Sequence, residues 1–192
     1  MTEFEALILE EDPVPCNVKD CHECELYKHD SRMVWGEGNP AAPIYIVLDN
    51  PGAREDKEGN PYVCGTRQTL QRGLAEAGID LNFIYVTYIL KRKPKRAYDK
   101  PMTRKICIRH LEQQLIHGSP KAVICLGNVS VQSFFRNPDA EVKQLRGAWY
   151  DANGWNTAVS YHPLAVRRRP NLYPYFLEDL KFVSEFFNKT YE

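Results

Sequence analysis

Four runs of consecutive apolar residues divide the chain. Each run is rich in β-branched and aromatic residues, a composition typical of strands that are covered on both faces. The runs are Pro43 to Leu48, Phe83 to Ile89, Ala122 to Leu126 and Thr157 to Tyr161. The pattern therefore predicts four buried strands.

Helical periodicity fills the intervals between these strands. Two apolar stripes recur at helical spacing: Leu70, Leu74, Ala77 and Cys107, Leu111, Leu115. The first predicts a helix over 67–77 with Gly78 as its stop, and the second a helix that starts near Thr103. A short helix is expected after Asn128 and an aromatic-rich one over 173–187.

This alternation of strands and helices predicts the fold class. It is typical of an α/β protein with three layers, α/β/α, around a central, mostly parallel four-stranded sheet. The chain contains no internal repeat, low-complexity segment or composition break. We therefore expect residues 1–192 to form a single domain.

Polar and turn-forming residues follow directly after each predicted strand. They are Asp49-Asn50-Pro51-Gly52, Tyr88 to Lys91, Gly127-Asn128 and His162-Pro163. The carboxyl ends of parallel strands meet at one edge of a sheet, where ligands bind in such folds. The sequence therefore predicts a functional cleft that brings a carboxylate and a histidine to this edge.

The formal net charge of zero conceals two opposed regions. Residues 1–30 hold nine acids and two bases, whereas residues 91–109 hold nine bases and one acid. A second basic cluster follows at Arg167-Arg168-Arg169. A charge run often marks only a solvated face, but two basic clusters in 192 residues favour a polyanionic partner.

Hydropathy and the first residues of the chain argue against a membrane protein and against a secreted precursor. No apolar run is long enough to span a bilayer, and the start of the chain lacks the basic region of a signal peptide. We expect a cytoplasmic protein without a membrane partner, most simply a monomer. In a reducing compartment the six cysteines favour metal ligation or burial over disulfides.

Several motifs, taken in order and spacing, resemble the uracil-DNA glycosylase superfamily, nearest to its iron–sulfur-containing family 4. The similar segments are Cys21-x-x-Cys24-x-Leu26, Gly36 to Pro40, Val47 to Asp56, Gly59 to Val63, Arg146-Gly147 and Ser160 to Pro163. The resemblance covers residues 21 to about 180. It implies a DNA partner, single- or double-stranded, and a glycosylase fold.

The chain departs from the family pattern at four positions. Asp49 stands where the family has Glu, and Tyr88 where it has the Asn that reads the base. Arg92 replaces a cluster cysteine, and Tyr62 replaces the Phe that stacks on the base. These changes leave the excised base open, and they leave open whether activity survives.

The resemblance implies a role for each site residue. His162 would stabilise the anionic leaving base, and Asp49, assisted by Asn50, would position water or offset the cationic sugar. The implied substrate contacts are Pro51, Gly52, Tyr62, Tyr88 and Arg167, with Val166 beside Arg167 at the tip of a DNA-inserting loop. Alternatively, Asp49 only caps a turn, Tyr62 plugs a loop and the arginines are solvated.

The resemblance also implies a [4Fe–4S] cluster on cysteine thiolates. Cys21, Cys24 and Cys107 match family ligand positions, and Cys16 lies near enough in sequence to supply the fourth. Zinc on the same four cysteines is the alternative, and burial is the other explanation for Cys107. We expect Cys125 in the core and Cys64 free.

Three functional hypotheses remain. The first is a monofunctional DNA glycosylase of base-excision repair that removes uracil or a related pyrimidine and leaves an abasic site. The second is a catalytically weak or inactive relative that binds DNA or a replication or repair partner. The third is a zinc-stabilised binding module, which would leave the strand-end motifs unexplained.

Overall fold

A seven-stranded sheet forms the centre of the molecule, for which a computed structural model describes residues 4–57 and 64–191. The strands are β1 (Glu11–Asp12), β2 (Gly36–Gly38), β3 (Ile44–Leu48), β4 (Ile84–Tyr88), β5 (Ala122–Leu126), β6 (Tyr150–Ala152) and β7 (Trp155–Ser160). Their order across the sheet is β1-β2-β4-β3-β5-β7-β6. The four central strands, β4-β3-β5-β7, run parallel, and the outer pairings are antiparallel.

The four predicted strands are therefore confirmed as a parallel core, but the predicted number of strands was too low. Every residue of β3, β4 and β5 is buried, in keeping with their continuous apolar runs. The strands β1, β2 and β6 have two or three residues each. Such short edge strands carry too few residues for an apolar pattern to reveal them.

Helices cover both faces of the sheet. The α-helices are α1 (Gly65–Glu76), α2 (Lys100–Gly118), α3 (Asn128–Phe134), α4 (Val142–Leu145), α5 (Pro163–Arg168) and α6 (Tyr173–Tyr191). Three 3-10 helices lie at Glu25–His29, Leu81–Phe83 and Pro170–Leu172. Side chains of α2 and α3 pack on one face of the sheet, and those of α1, α5 and α6 on the other. The three-layer α/β/α prediction is confirmed.

Local signals set the start of α2 and the end of α1. Asp99 caps α2 by accepting a hydrogen bond from the Met102 amide over 3.1 Å, and Pro101 occupies its first turn. The chain leaves α1 through Gly78, which has a φ of +74°. Because α1 follows β3 and α2 follows β4 along the chain, both helices start at the carboxyl edge of the parallel strands.

The acidic N-terminal segment lies along the edge of the sheet. Leu7 exchanges two backbone hydrogen bonds with the side-chain amide of Gln71, each 2.7 Å long. Glu11 pairs with Arg32 through both carboxylate oxygens. Within the described parts of the chain, no helix has the length and apolar character needed to cross a membrane.

Candidate active site

Asp49 leaves the end of β3 and turns toward the first turn of α3. Its backbone carbonyl accepts a hydrogen bond from the Leu90 amide over 3.0 Å, and the Ser130 amide donates to its carboxylate. One carboxylate oxygen, Oδ1, is buried and has no hydrogen-bond partner among the described residues. Burial raises the pKa of Asp49 to about 6, although Arg104 and the Ser130 amide oppose the rise. The Asp49 carboxyl group is thus able to change its protonation state near pH 6, and its Oδ1 can accept a hydrogen bond.

His162 leaves the end of β7 and caps α5. Its Nδ1 accepts a hydrogen bond from the Leu164 amide over 3.1 Å, so the neutral ring carries its proton on Nε2. Burial, with a smaller contribution from the cation of Arg67, lowers the pKa of His162 to about 4. The imidazole is therefore a neutral hydrogen-bond donor near pH 7.

The first turn of α3 lies between these two groups. Gly127, its N-cap, has a φ of +93°, and a Cβ atom placed there would lie 2.8 Å from Cβ of His162. Ser130, in the same turn, contacts Asp49. Since β5 separates β3 from β7, the two strand ends are about 10 Å apart. Asp49 and His162 therefore lie on either side of the α3 N-terminus.

The residues that follow Asp49 form a tight turn. The Asn50 side-chain amide donates to the Pro51 carbonyl over 2.8 Å. A Cβ atom on Gly52 would lie 2.6 Å from a carboxylate oxygen of Glu55, so the Glu55 side chain closely approaches this turn. Asn50, Pro51 and Gly52 thus lie together beside Asp49. Tyr62, the predicted stacking residue, lies outside the described residues.

Tyr88 is buried at the end of β4 and is held there by Arg67. The Arg67 guanidinium donates to the Tyr88 hydroxyl over 2.5 Å, forms an ion pair with Glu37 and lies 3.9 Å from Glu55. The position implied to read a base is thus occupied by a side chain that is 1% exposed. Among the described residues, a cavity of about 280 Å³ adjoins this cluster, lined by Glu37, Glu55, Cys64, Arg67 and residues 7–11.

Sequence reasoning missed Arg67, although a signal was present. Arg67 precedes Leu70 and Leu74 by three and seven residues, so it shares the buried face of α1. A cation on an apolar helical face has to be paired. Its partner Glu37 is 30 residues away, which no local pattern reveals.

The arginine cluster differs from its predicted arrangement at one residue. Val166 is 2% exposed and packs in the core, so the prediction that it forms an exposed loop tip is wrong. Arg167 is exposed, and a Cβ atom on Gly65 would overlap its guanidinium group. Arg167 therefore lies over the start of α1, at the same edge of the sheet as Asp49 and His162.

Only two of the four predicted metal ligands are in contact with each other. Cys24 and Cys107 share a hydrogen bond, Cys21 Sγ lies 3.4 Å from Nε2 of His110, and Cys16 is exposed. In the described residues, no set of three or more His, Cys, Asp or Glu side chains is arranged to hold a metal ion. This donor arrangement fits neither an iron–sulfur cluster nor a zinc ion, each of which takes four ligands. As expected, Cys125 is buried in the core.

Comparison with known proteins agrees with this geometry. Residues 35–189 match the uracil DNA glycosylase superfamily. A type-4 uracil-DNA glycosylase of Archaeoglobus fulgidus is 31% identical over 93% of this chain and 94% of that protein. One from Pyrobaculum aerophilum is 29% identical over 85% of this chain and 87% of that protein. A DNA polymerase of Bacillus phage SP01 is 27% identical over 83% of this chain but only 17% of its own length. The chain belongs to the uracil-DNA glycosylase superfamily.

Proposed function

We propose that the protein is a monofunctional DNA glycosylase of base-excision repair. It hydrolyses the N-glycosidic bond of uracil or a related pyrimidine and leaves an abasic site. The observation that carries this proposal is the arrangement of Asp49 and His162 on either side of the α3 N-terminus. A base must leave the helix stack to reach such a site.

His162 acts on the base and Asp49 acts on the sugar when the glycosidic bond breaks. The departing base becomes anionic, and the Nε2 proton of neutral His162 stabilises that charge by hydrogen bonding. The sugar becomes electron-poor, and the ionised Asp49 stabilises it and orients the attacking water through its unpartnered Oδ1. Both side chains are held by backbone amides, of Ser130 and Leu164. Little reorganisation is therefore needed during the reaction.

Neither strand-end motif, Val47 to Asp56 or Ser160 to Pro163, contains a lysine, which supports hydrolysis over a lyase reaction. Lys91, the lysine that follows β4, is fully buried. Its Nζ donates to Thr87 Oγ1 over 2.6 Å and to Gln114 Oε1 over 2.5 Å. An amine held in this way is not available to attack a sugar.

DNA contact is assigned to the exposed arginines at the same edge. Arg167 follows His162 by five residues and lies over the start of α1. Guanidinium groups at such an edge suit the phosphates on either side of an extruded nucleotide. The proposed complex is one protein molecule on single- or double-stranded DNA. An iron–sulfur cluster or zinc ion is not part of the proposal, because among the described residues only Cys24 and Cys107 of the four predicted ligands are in contact.

One assay tests the activity. The protein is incubated with uracil-containing single- and double-stranded oligonucleotides, and abasic sites are then cleaved with alkali. We expect strand breaks at uracil and none with matched thymine oligonucleotides. His162→Ala should abolish cleavage while DNA affinity is retained. No breaks with uracil, hydroxymethyluracil or hypoxanthine would exclude the glycosylase.

A second function is favoured by the Tyr88–Arg67 contact. Because Tyr88 is buried and bonded to Arg67, it cannot offer a base both a donor and an acceptor, as an amide can. A weak or inactive relative that only binds DNA or a repair partner is consistent with this contact. Retained affinity for DNA without any base excision would identify that function.

A further inference from the structure

Three cations of the basic stretch, residues 91–109, donate hydrogen bonds to backbone carbonyls of residues 28–31. These carbonyls lie at the end of the cysteine-bearing segment, which we define as residues 16–31. Arg92 Nη1 donates to the Ser31 carbonyl over 2.5 Å. Lys95 Nζ donates to the Asp30 carbonyl and Arg96 to the Lys28 carbonyl. We call Arg92, Lys95 and Arg96 the carbonyl clamp.

Backbone contacts reinforce the carbonyl clamp. The Lys95 amide donates to His29 Nδ1 over 3.2 Å, and Met33 forms a β-bridge with Arg92. The Val34 amide donates to the Lys91 carbonyl over 2.8 Å. Residues 28–34 are therefore attached to the chain just after β4 through both side chains and main chain.

Two ion pairs add further contacts between residues 91–109 and other segments. Arg109 on α2 pairs with Glu23 of the cysteine-bearing segment, and Lys95 pairs with Asp56, in the loop after β3, over 3.0 Å. Glu25 accepts a hydrogen bond from the Asp99 amide. The short stretch between Cys21 and Ser31 is thus joined to residues 91–109 at several points along its length.

These contacts join the same parts of the chain that a cluster would join. A cluster on Cys21, Cys24 and Cys107 would tie segment 21–24 to α2 and to the residue at position 92. Here position 92 carries a guanidinium that bonds to a carbonyl, Cys21 faces His110, and Cys16 is exposed. Arg92 thus stands where the family has a cluster cysteine, and its hydrogen bond to Ser31 links two segments that a cluster would link.

We infer that the carbonyl clamp, and not an iron–sulfur cluster, fixes the cysteine-bearing segment of this chain to its sheet. The buried Cys24–Cys107 contact then remains a thiol contact within the core. The inference does not depend on the proposed glycosylase activity.

Metal content is the first test. The full chain is produced with iron and sulfide precursors in excess, purified without oxygen, and analysed for iron, acid-labile sulfide and zinc. We expect well below one equivalent of each per chain and no visible absorbance. A stoichiometry near four irons and four sulfides, or near one zinc, would overturn the inference.

Hydrogen exchange is the second test. Arg92→Met removes the clamp's contact with Ser31, and we expect the amides of residues 28–34 to exchange about tenfold faster. Lys93→Met is the matched control, because the Lys93 side chain has no hydrogen bond or ion pair with the described residues; its exchange should equal that of the wild type. Unchanged exchange in Arg92→Met would refute the clamp. If that variant does not fold, the metal analysis of the wild-type chain still decides.

Discussion

The side chain of His162 packs directly on the α-carbon of Gly127. A Cβ atom at residue 127 would lie 2.8 Å from Cβ of His162 and 3.4 Å from Cδ2 of its ring. Gly127 also has a φ of +93° and a ψ of 159°, a conformation that is essentially restricted to glycine. The N-cap of α3 thereby sets the position of the imidazole.

Gly127→Ala should therefore displace His162. We expect a large loss of kcat in uracil excision, together with a loss of about 1–3 kcal/mol in the free energy of unfolding. Gly154→Ala is the control, because Gly154 also has a positive φ, of +84°, but nothing within 4 Å of its Cβ position. The control should lose stability only. Equal activity in both variants would contradict the role given to Gly127.

The pH dependence of excision should report Asp49. With a pKa of about 6, Asp49 becomes protonated as the pH falls below 6, so single-turnover rates should fall about tenfold per pH unit there. His162, with a pKa of about 4, remains neutral over this range. In Asp49→Asn, the residual rate should lose this acid limb. Persistence of the limb in that variant would assign it to another group.

The same carboxyl group should lower stability at neutral pH. Its pKa is raised from 3.8 to about 6 on folding, so the folded state disfavours the charged form. The cost is absent below about pH 4, where both states are protonated, and it is complete above pH 6. Asp49→Asn should therefore raise the free energy of unfolding at pH 8 by about 1–3 kcal/mol. A denaturant titration at pH 8 that shows a loss would contradict this sign.

Arg67 should contribute far more to stability than its neighbour Arg72. Arg67→Met leaves the half-buried Glu37 without its cation and the buried Tyr88 hydroxyl without its donor, which should cost about 3–5 kcal/mol. Arg72→Met on the same helix removes an exposed pair with Glu76 and should cost less than about 1 kcal/mol. Urea denaturation of both variants measures the difference. Similar losses would show that the buried network is weak.

Arg167 should contribute to DNA affinity mainly through a phosphate. Arg167→Ala should weaken binding to all sequences alike and reduce the slope of log affinity against log salt by about one. Arg72→Ala is the control, since Arg72 lies about 10 Å further along α1 from the site edge. Fluorescence anisotropy over a range of salt concentrations provides both slopes. An unchanged slope in Arg167→Ala would remove that residue from the interface.

The parallel core of the fold could be predicted because burial leaves a direct mark on sequence. A strand covered on both faces has to be apolar throughout, as β3 and β5 are. The edge strand β2 contains Gly36, Glu37 and Gly38 and forms only because β4 offers it partners. Its pairing depends on residues about 50 positions away, which no local pattern encodes.

In the candidate site, too, some features could be predicted from local sequence and others depend on distant residues. Asp49 and His162 could be predicted because strand ends in a parallel sheet converge. The contact between Arg67 and Tyr88 could not, because it joins two residues of different elements whose burial becomes evident only after folding. The contacts of the basic stretch within the protein could not be predicted either. Lys91 is fully buried, and the exposed Arg96 donates to the Lys28 carbonyl.

The bonds from Arg92, Lys95 and Arg96 to residues 28–31 have one consequence for the way in which this part of the chain is held. A guanidinium or an ammonium group has no redox state, so an oxidant or an iron chelator does not act on its hydrogen bond to a carbonyl. An attachment of this kind is therefore independent of the iron supply and of the redox potential of the solution.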